Sequence, residues 1–190
     1  MKKQNTVKIS ALLITYNEIK HIREVLENLS FADEVIVVDS FSNDGTWEAV
    51  QAFDQVKGYQ NPFTDFTSQR TFALTKAANN WILFIDADER LPQNTIDEIV
   101  QEVQKADAHA AYFMRRLIYF KGKRLRFGGR MTDKIHRLFQ KDKARYIPWR
   151  LVHEKLEVNG TTGLLKNPLV HYPYQSFAHY EATRVHYAQL

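Results

Sequence analysis

The chain has 190 residues, 44% hydrophobic and 25% charged, which is enough for the core of one soluble domain and short for two. It contains no cysteine, so disulfides, thiolate metal sites and a thiol nucleophile are all excluded, and a reducing cytoplasm is compatible with that absence. Lys and Arg number 26 against 22 Asp and Glu, a net charge of +4 and a moderate excess of base.

Two lysines precede the apolar stretch at residues 9–14, but it is too short for a secretory h-region and runs into Tyr16-Asn17-Glu18 without a cleavage site. Residues 8–15 (KISALLIT) therefore read as a buried parallel strand. Ile22, Val25, Leu26 and Leu29 then recur at helical spacing within residues 18–29. EVIVVD at 34–39 is a second β-branched run and ends in a carboxylate. SFSNDGT supplies turn residues, with Asp44 or Thr46 placed to cap a helix from about Trp47. A weaker strand follows at 56–60, a helix at 67–78, and a third apolar run, WILFIDADE, at 81–89. Pro92 suits the first turn of a helix reaching about Ala106.

Strand and helix alternate at these intervals as in βαβ units, so residues 1–109 predict an α/β half with a parallel sheet. After Ala110 the pattern changes. AAYFMRRLIYF, KIHRLFQ and LVHEKLEV read as strands, with Gly122, Gly128-Gly129 and Gly160 as breakers, and residues 176–190 are again helix-like. No linker separates the halves, and one domain over 1–190 is expected, with a partly antiparallel half at 110–190. The terminal helix ends without a cap or polar tail, which suggests a truncated chain or a partner surface. No apolar run approaches the length of a membrane span.

In an open parallel sheet, ligands bind at the carboxyl ends of the strands. Three strands here end in polar groups at that edge: Thr15-Tyr16-Asn17-Glu18, Asp39-Ser40 and Asp86-Ala87-Asp88-Glu89. An acidic loop after one strand is usually a solvated turn, and an isolated D-x-D is common by chance. Three such ends on one edge favour a site. Asp86 and Asp88, one residue apart, would point the same way in an extended segment and would repel unless a cation joined them. Oxygen ligands suit Mg2+ or Mn2+, with substrate phosphates completing the shell.

ITYNE, VVDSFSNDGT and WILFIDADE, at these intervals, resemble the signature of the family 2 glycosyltransferases, which have a GT-A fold and use nucleotide-diphospho-sugars. KIHRLFQKDKARY, LVHEKLEV and LVHYPY are similar, more narrowly, to the bacterial lipopolysaccharide-core glucosyltransferase branch. The resemblance implies that Thr15 and Tyr16 pack on the nucleotide base, Tyr16 by stacking, and that Glu18 lies near the ribose. It implies that Asp39 accepts from the uracil edge, that Asp44 shapes its loop and that Arg70 lies near the diphosphate. Asp86 would touch ribose or metal, and Asp88 would ligate the metal.

Inverting transfer needs a carboxylate to take the acceptor hydroxyl's proton while the metal stabilises the leaving diphosphate. Glu154, in VHEKL, aligns with the H-E pair of the resembled branch. A surface carboxylate paired with Lys155 or Arg150 is the equally weighted alternative. Glu89 is a second candidate base. His153 and His171 sit in strand-like contexts, where a histidine is most often structural. Some GT-A enzymes add a late histidine to the metal, which gives His171 a minor claim.

The resemblance thus implies an inverting transferase with a UDP-hexose donor, Mg2+ or Mn2+, and a cell-envelope saccharide acceptor such as lipopolysaccharide core. Between residues 115 and 145 bases greatly outnumber the two acids, Asp133 and Asp142. The stretch 112–130, with Phe120 and Phe127, is the expected acceptor side. The expected location is cytoplasmic, with peripheral contact at the inner face of the cytoplasmic membrane through these residues. Nucleic acid ranks lower, since no RNA-binding fingerprint accompanies them. A nucleotidyltransferase would need a Gly-rich loop where TYNEIKH stands, and a dehydrogenase would need G-x-G-x-x-G after a strand. The non-enzyme alternative is a nucleotide-sugar-binding or assembly protein that keeps the donor site without turnover.

Overall fold

The computed structural model describes residues 7–125, 134–147 and 156–174. Its elements in chain order are β1 (Ile9–Thr15), α1 (Ile22–Asn28), β2 (Glu34–Asp39), α2 (Thr46–Gln51), β3 (Val56–Gln60), α3 (Phe66–Lys76), β4 (Trp81–Phe84), β5 (Glu89–Arg90) and α4 (Gln93–Val103). There follow β6 (Ala111–Phe120), β7 (Lys123–Arg124), β8 (Lys134–Gln140), β9 (Ala144–Tyr146), β10 (Leu156–Val158), β11 (Thr162–Leu164) and β12 (Leu169–Tyr174).

The parallel half forms because β1, β2 and β4 are apolar on both faces and must be covered on both. Alternate residues go to opposite layers. Ala11 and Leu13 pack against Ile22, Val25 and Leu26 of α1, Ala49 and Val50 of α2, and Ile96 and Ile99 of α4. Leu12, Ile36 and Phe84 face the other way, onto Ala73 of α3 and Leu156 of β10. The small β9–β10 ribbon thus closes the layer that α3 alone leaves open.

The main sheet runs β3-β2-β1-β4-β8-β6-β12-β5, with β7 and β11 also paired to β6. Strands β3, β2, β1 and β4 are parallel, whereas β8 is antiparallel to both β4 and β6. The chain moves outward from β1 through β2 to β3 and then crosses back to β4 on the other side of β1. That reversal of strand order opens a crevice at the carboxyl ends of β1 and β4. Strands β6 and β12 point the same way as β4, so their ends border the same crevice.

The architecture is the expected α/β one, a mostly parallel sheet flanked by helices with an antiparallel extension. Several details differ. The first helix begins only at Ile22, because residues 16–21 form a loop bonded to the β2–α2 loop. The third apolar run stops as a strand at Phe84, since Glu89 N donates to Asp86 O at 3.0 Å and closes a turn. In LVHEKLEV the described part is Leu156–Val158, a strand. His153, Glu154 and the helix expected over 176–190 lie outside the described residues. Among the described residues no helix is long and apolar enough to cross a membrane.

Candidate active site

The loops after β1 and β2 are sewn together by short polar side chains. Asp44 accepts from Ile19 N at 3.1 Å and from Thr46 N at 3.0 Å, so it shapes the loop as expected. It sits one residue before the helix cap, Gly45, whose φ of +96° suits glycine. Glu18 N donates to Thr46 Oγ1 at 2.8 Å, and Asn17 N to Ser42 Oγ at 2.8 Å. Tyr16 is left standing out of this lattice, 58% exposed.

Thr15 and Asp39 are neighbours in register, both buried, with Thr15 Oγ1 donating to Asp39 at 3.2 Å. Asp39 also accepts from Ser42 N at 2.9 Å, from Ser42 Oγ and from Gln60 Nε2 at 3.3 Å. A carboxylate has about four acceptor positions, and protein donors fill those of Asp39. Contact with a base edge therefore requires Ser42 or Gln60 to give way.

The end of β4 differs from the sequence expectation. The turn at 86–89 sends the two aspartates to different partners. Asp86 is held by two guanidiniums: Arg70 Nη2 of α3 donates to Oδ1 at 2.9 Å, and Arg137 Nη2 of β8 donates to Oδ2. Each of its oxygens faces a guanidinium, a pairing that the spacing did not predict. Burial alone would raise its pKa, but Arg137 and Arg70 outweigh that and hold it well below the usual carboxylate range.

Arg137 is 1% exposed, the largest fully buried side chain described. Its Nη2 also donates to Glu89 Oε1 at 2.7 Å. Burial pushes the Glu89 carboxyl up, Arg137 opposes this, and the charge on Asp86 adds to the rise. Glu89 Oε2 accepts from Asp86 N at 3.1 Å. Having no exposed surface, Glu89 supports the turn and does not reach an acceptor hydroxyl, which removes it as a candidate base. Arg70 packs its guanidinium 4.4 Å from the Phe84 ring centroid, so it is fixed by stacking as well as by charge.

Asp88 turns toward β12. Its Oδ2 lies 3.1 Å from His171 Nε2, and its carbonyl accepts from Tyr172 N at 2.8 Å. The Asp88 side chain keeps 26% of its surface exposed. Metal bonds near 2.1 Å at right angles put neighbouring donors roughly 3 Å apart, so this oxygen and nitrogen fit adjacent positions on one divalent ion. His171 Nδ1 is buried without a hydrogen-bond partner among the described residues. No cluster of three or more His, Asp and Glu capable of holding a metal occurs among the described residues. The remaining ligands would come from substrate and water, as is usual for Mg2+.

Glu18 lies on the same edge. Its carboxyl is pushed up to about 7, first by burial and then by the charges of Asp88, Asp44 and Asp86. Arg90 closes the far side, donating from Nη1 to Ala87 O at 2.7 Å and from Nη2 to His21 O at 3.0 Å.

Sequence reasoning named Thr15, Tyr16, Glu18, Asp39, Arg70, Asp86 and Asp88, and the structure brings them to this one edge. It passed over Arg137 and Arg90. A signal for Arg137 was present: in KIHRLFQ an arginine stands inside an apolar run, and a cation buried there requires carboxylate partners. The base assigned to Glu154 is outside the described residues.

Known proteins resemble this chain in sequence and in fold. The model of Glycosyl transferase family 2 matches residues 10–157. An uncharacterized glycosyltransferase of Rickettsia bellii is 40% identical over 116 residues, covering 60% of this chain and 39% of its own length. The lipopolysaccharide core biosynthesis glycosyltransferase LpsC of Rhizobium meliloti is 28% identical over 159 residues, covering 82% of this chain and 59% of its own. This chain thus spans less than two thirds of the length of both relatives. Among solved structures, residues 1–349 of S. aureus TarS in complex with UDP superpose with a TM-score of 0.62 at 18% identity, over 87% of this chain and 60% of that one. The mannosyltransferase PcManGT from Pyrobaculum calidifontis, in complex with GDP-Man and Mn2+, gives a TM-score of 0.50 at 26% identity, over 57% of this chain and 35% of that one.

Proposed function

The chain belongs to Glycosyl transferase family 2, and on that premise we propose that it moves a hexose with inversion from a UDP-sugar to a cell-envelope saccharide, lipopolysaccharide core being the favoured acceptor. The observation that carries this reading is the pairing of Asp88 with His171 beside the Arg70–Asp86–Arg137 cluster, at the point where strand order reverses. The similarity to LpsC supports the acceptor class.

In this reading Tyr16 stacks on the nucleobase and Glu18 lies against the ribose. Asp39 meets the base edge by exchanging its Gln60 bond for the ligand. Arg70 faces the diphosphate, held in place by Asp86 and Phe84. Asp88 and His171 hold a divalent ion, Mg2+ or Mn2+, whose contribution is to neutralise charge growing on the leaving diphosphate. Asp86 acts as an anchor for the two guanidiniums. Glu154 takes the proton from the acceptor hydroxyl. The acceptor enters from the side of β6 and β12, where Tyr119 and Tyr172 lie 5.8 Å apart. The reading extends to one domain over 1–190 and to a cytoplasmic protein touching the inner membrane face through basic residues near β6 and β7.

Calorimetric titration with UDP and UDP-glucose, in Mn2+ and then in EDTA, tests the donor half of this reading. Binding that requires metal in the wild type and is lost in Asp88→Ala is the expected result. Metal-independent binding, or binding that survives in Asp88→Ala, would refute the assignment.

A further inference from the structure

The β1–β2 ladder does not stop with the strands. Beyond the Thr15–Asp39 pair, Ser40 N donates to Thr15 O at 2.9 Å, Asn17 N to Ser42 Oγ at 2.8 Å, and Asn43 N to Asn17 Oδ1 at 3.0 Å. These bonds straddle one residue on each side, Tyr16 and Phe41, and so place the two residues on joined loops just beyond the ends of β1 and β2. Both rings stand in solvent, 58% and 53% exposed, although rings of that size are ordinarily sheltered.

The exposure of Phe41 is enforced. Its φ is +60°, the left-handed region, which a bulky side chain adopts at a cost and glycine does not. The residues on either side cannot relax to relieve it. Ser42 is tied through N and Oγ to the buried carboxylate of Asp39, and Ser40 Oγ accepts from Gln69 Nε2 at 3.0 Å. An aromatic side chain thus sits in a strained backbone that two anchored serines hold facing outward, two residues beyond Asp39.

We propose that Phe41 and Tyr16 together form a two-ring floor on which the donor's nucleobase stacks, so that Phe41 is a base-binding residue. This rests on the donor reading given above and extends it to a residue that carries no polar contact. Every nucleobase has a π-face, and stacking on an aromatic side chain adds affinity without reading the base's edge. The floor therefore contributes to the nucleoside and nothing to the diphosphate.

That difference supplies the test. Affinities for UDP and for inorganic pyrophosphate, both in Mn2+, are compared in wild type, Phe41→Gly and Phe41→Trp. Glycine accepts the positive φ, so Phe41→Gly folds and its melting temperature does not fall. The floor predicts that Phe41→Gly loses UDP affinity on the order of 10-fold, keeps pyrophosphate affinity, and that Phe41→Trp restores UDP binding. Wild-type UDP affinity in Phe41→Gly would overturn the floor while leaving the donor site standing. Equal loss of UDP and pyrophosphate would also overturn it, assigning Phe41 to loop shape. If wild type binds neither UDP nor GDP, the donor reading falls and the floor falls with it.

Discussion

Replacing Arg137 by methionine removes a cation that reaches both Asp86 and Glu89. Asp86 keeps Arg70, but Glu89, with no exposed surface, keeps as its hydrogen-bond donor among the described residues the backbone N–H of Asp86. Removing one partner of a buried ion pair costs about 3–5 kcal/mol, because the other charge stays buried without compensation. In a protein of this size each kcal/mol lowers the melting temperature by roughly 2–4 °C, so Arg137→Met should melt about 6–20 °C below wild type. Thermal unfolding followed by circular dichroism at pH 7 measures this directly. Adding Glu89→Leu to Arg137→Met removes the stranded carboxylate and should recover much of the loss, since apolar replacements of buried pairs are often neutral. A single variant melting within about 2 °C of wild type would place Arg137 among surface-type pairs worth under about 1 kcal/mol. That result would refute the argument from burial.

Glu18 gives a pH prediction. Its carboxyl is raised from 4.5 to about 7 in the folded protein, so folding favours the protonated form. Its contribution is complete below about 4.5 and is lost as pH rises through 7. Glu18→Gln, which cannot ionise, should therefore melt higher than wild type at pH 8, with the gap closing below pH 4.5; an unchanging gap across that range would contradict the assignment. Asp65 caps α3, its side chain accepting from Ser68 N at 2.8 Å. Asp65→Ala should cost about 1 kcal/mol, or roughly 2–4 °C in the same melting assay.

The parallel half was legible because its signals are local. Runs such as EVIVVD can be satisfied only by burial on both faces, and strand ends rich in Asp and Asn mark the crevice by position alone. What the sequence left out is long-range. The spacing of Asp86 and Asp88 predicted two carboxylates facing one cation, but the turn closed by Glu89 sends one to arginine and the other to histidine. That division depends on β8 and β12, which arrive 51 and 83 residues later in the chain. Phe41 was passed over for a related reason: its conformation follows from hydrogen bonds with a loop 25 residues away.

The antiparallel insertion of β8 beside β4 also orders events in time. Glu89 and Arg137 are separated by 48 residues. At synthesis rates of about 5–20 residues per second, the arginine is made roughly 2–10 s after the glutamate it neutralises. During that interval β4, whose Trp81, Ile82, Leu83 and Phe84 are all buried in the finished protein, has an open edge toward β8, and Glu89 beyond its end lacks its arginine. The first half cannot close its own core while the ribosome is still making the second. The nascent chain must be kept from pairing that edge with a neighbour's until residues 134–140 emerge, so a chain released before β8 should aggregate rather than fold into a smaller donor-binding unit.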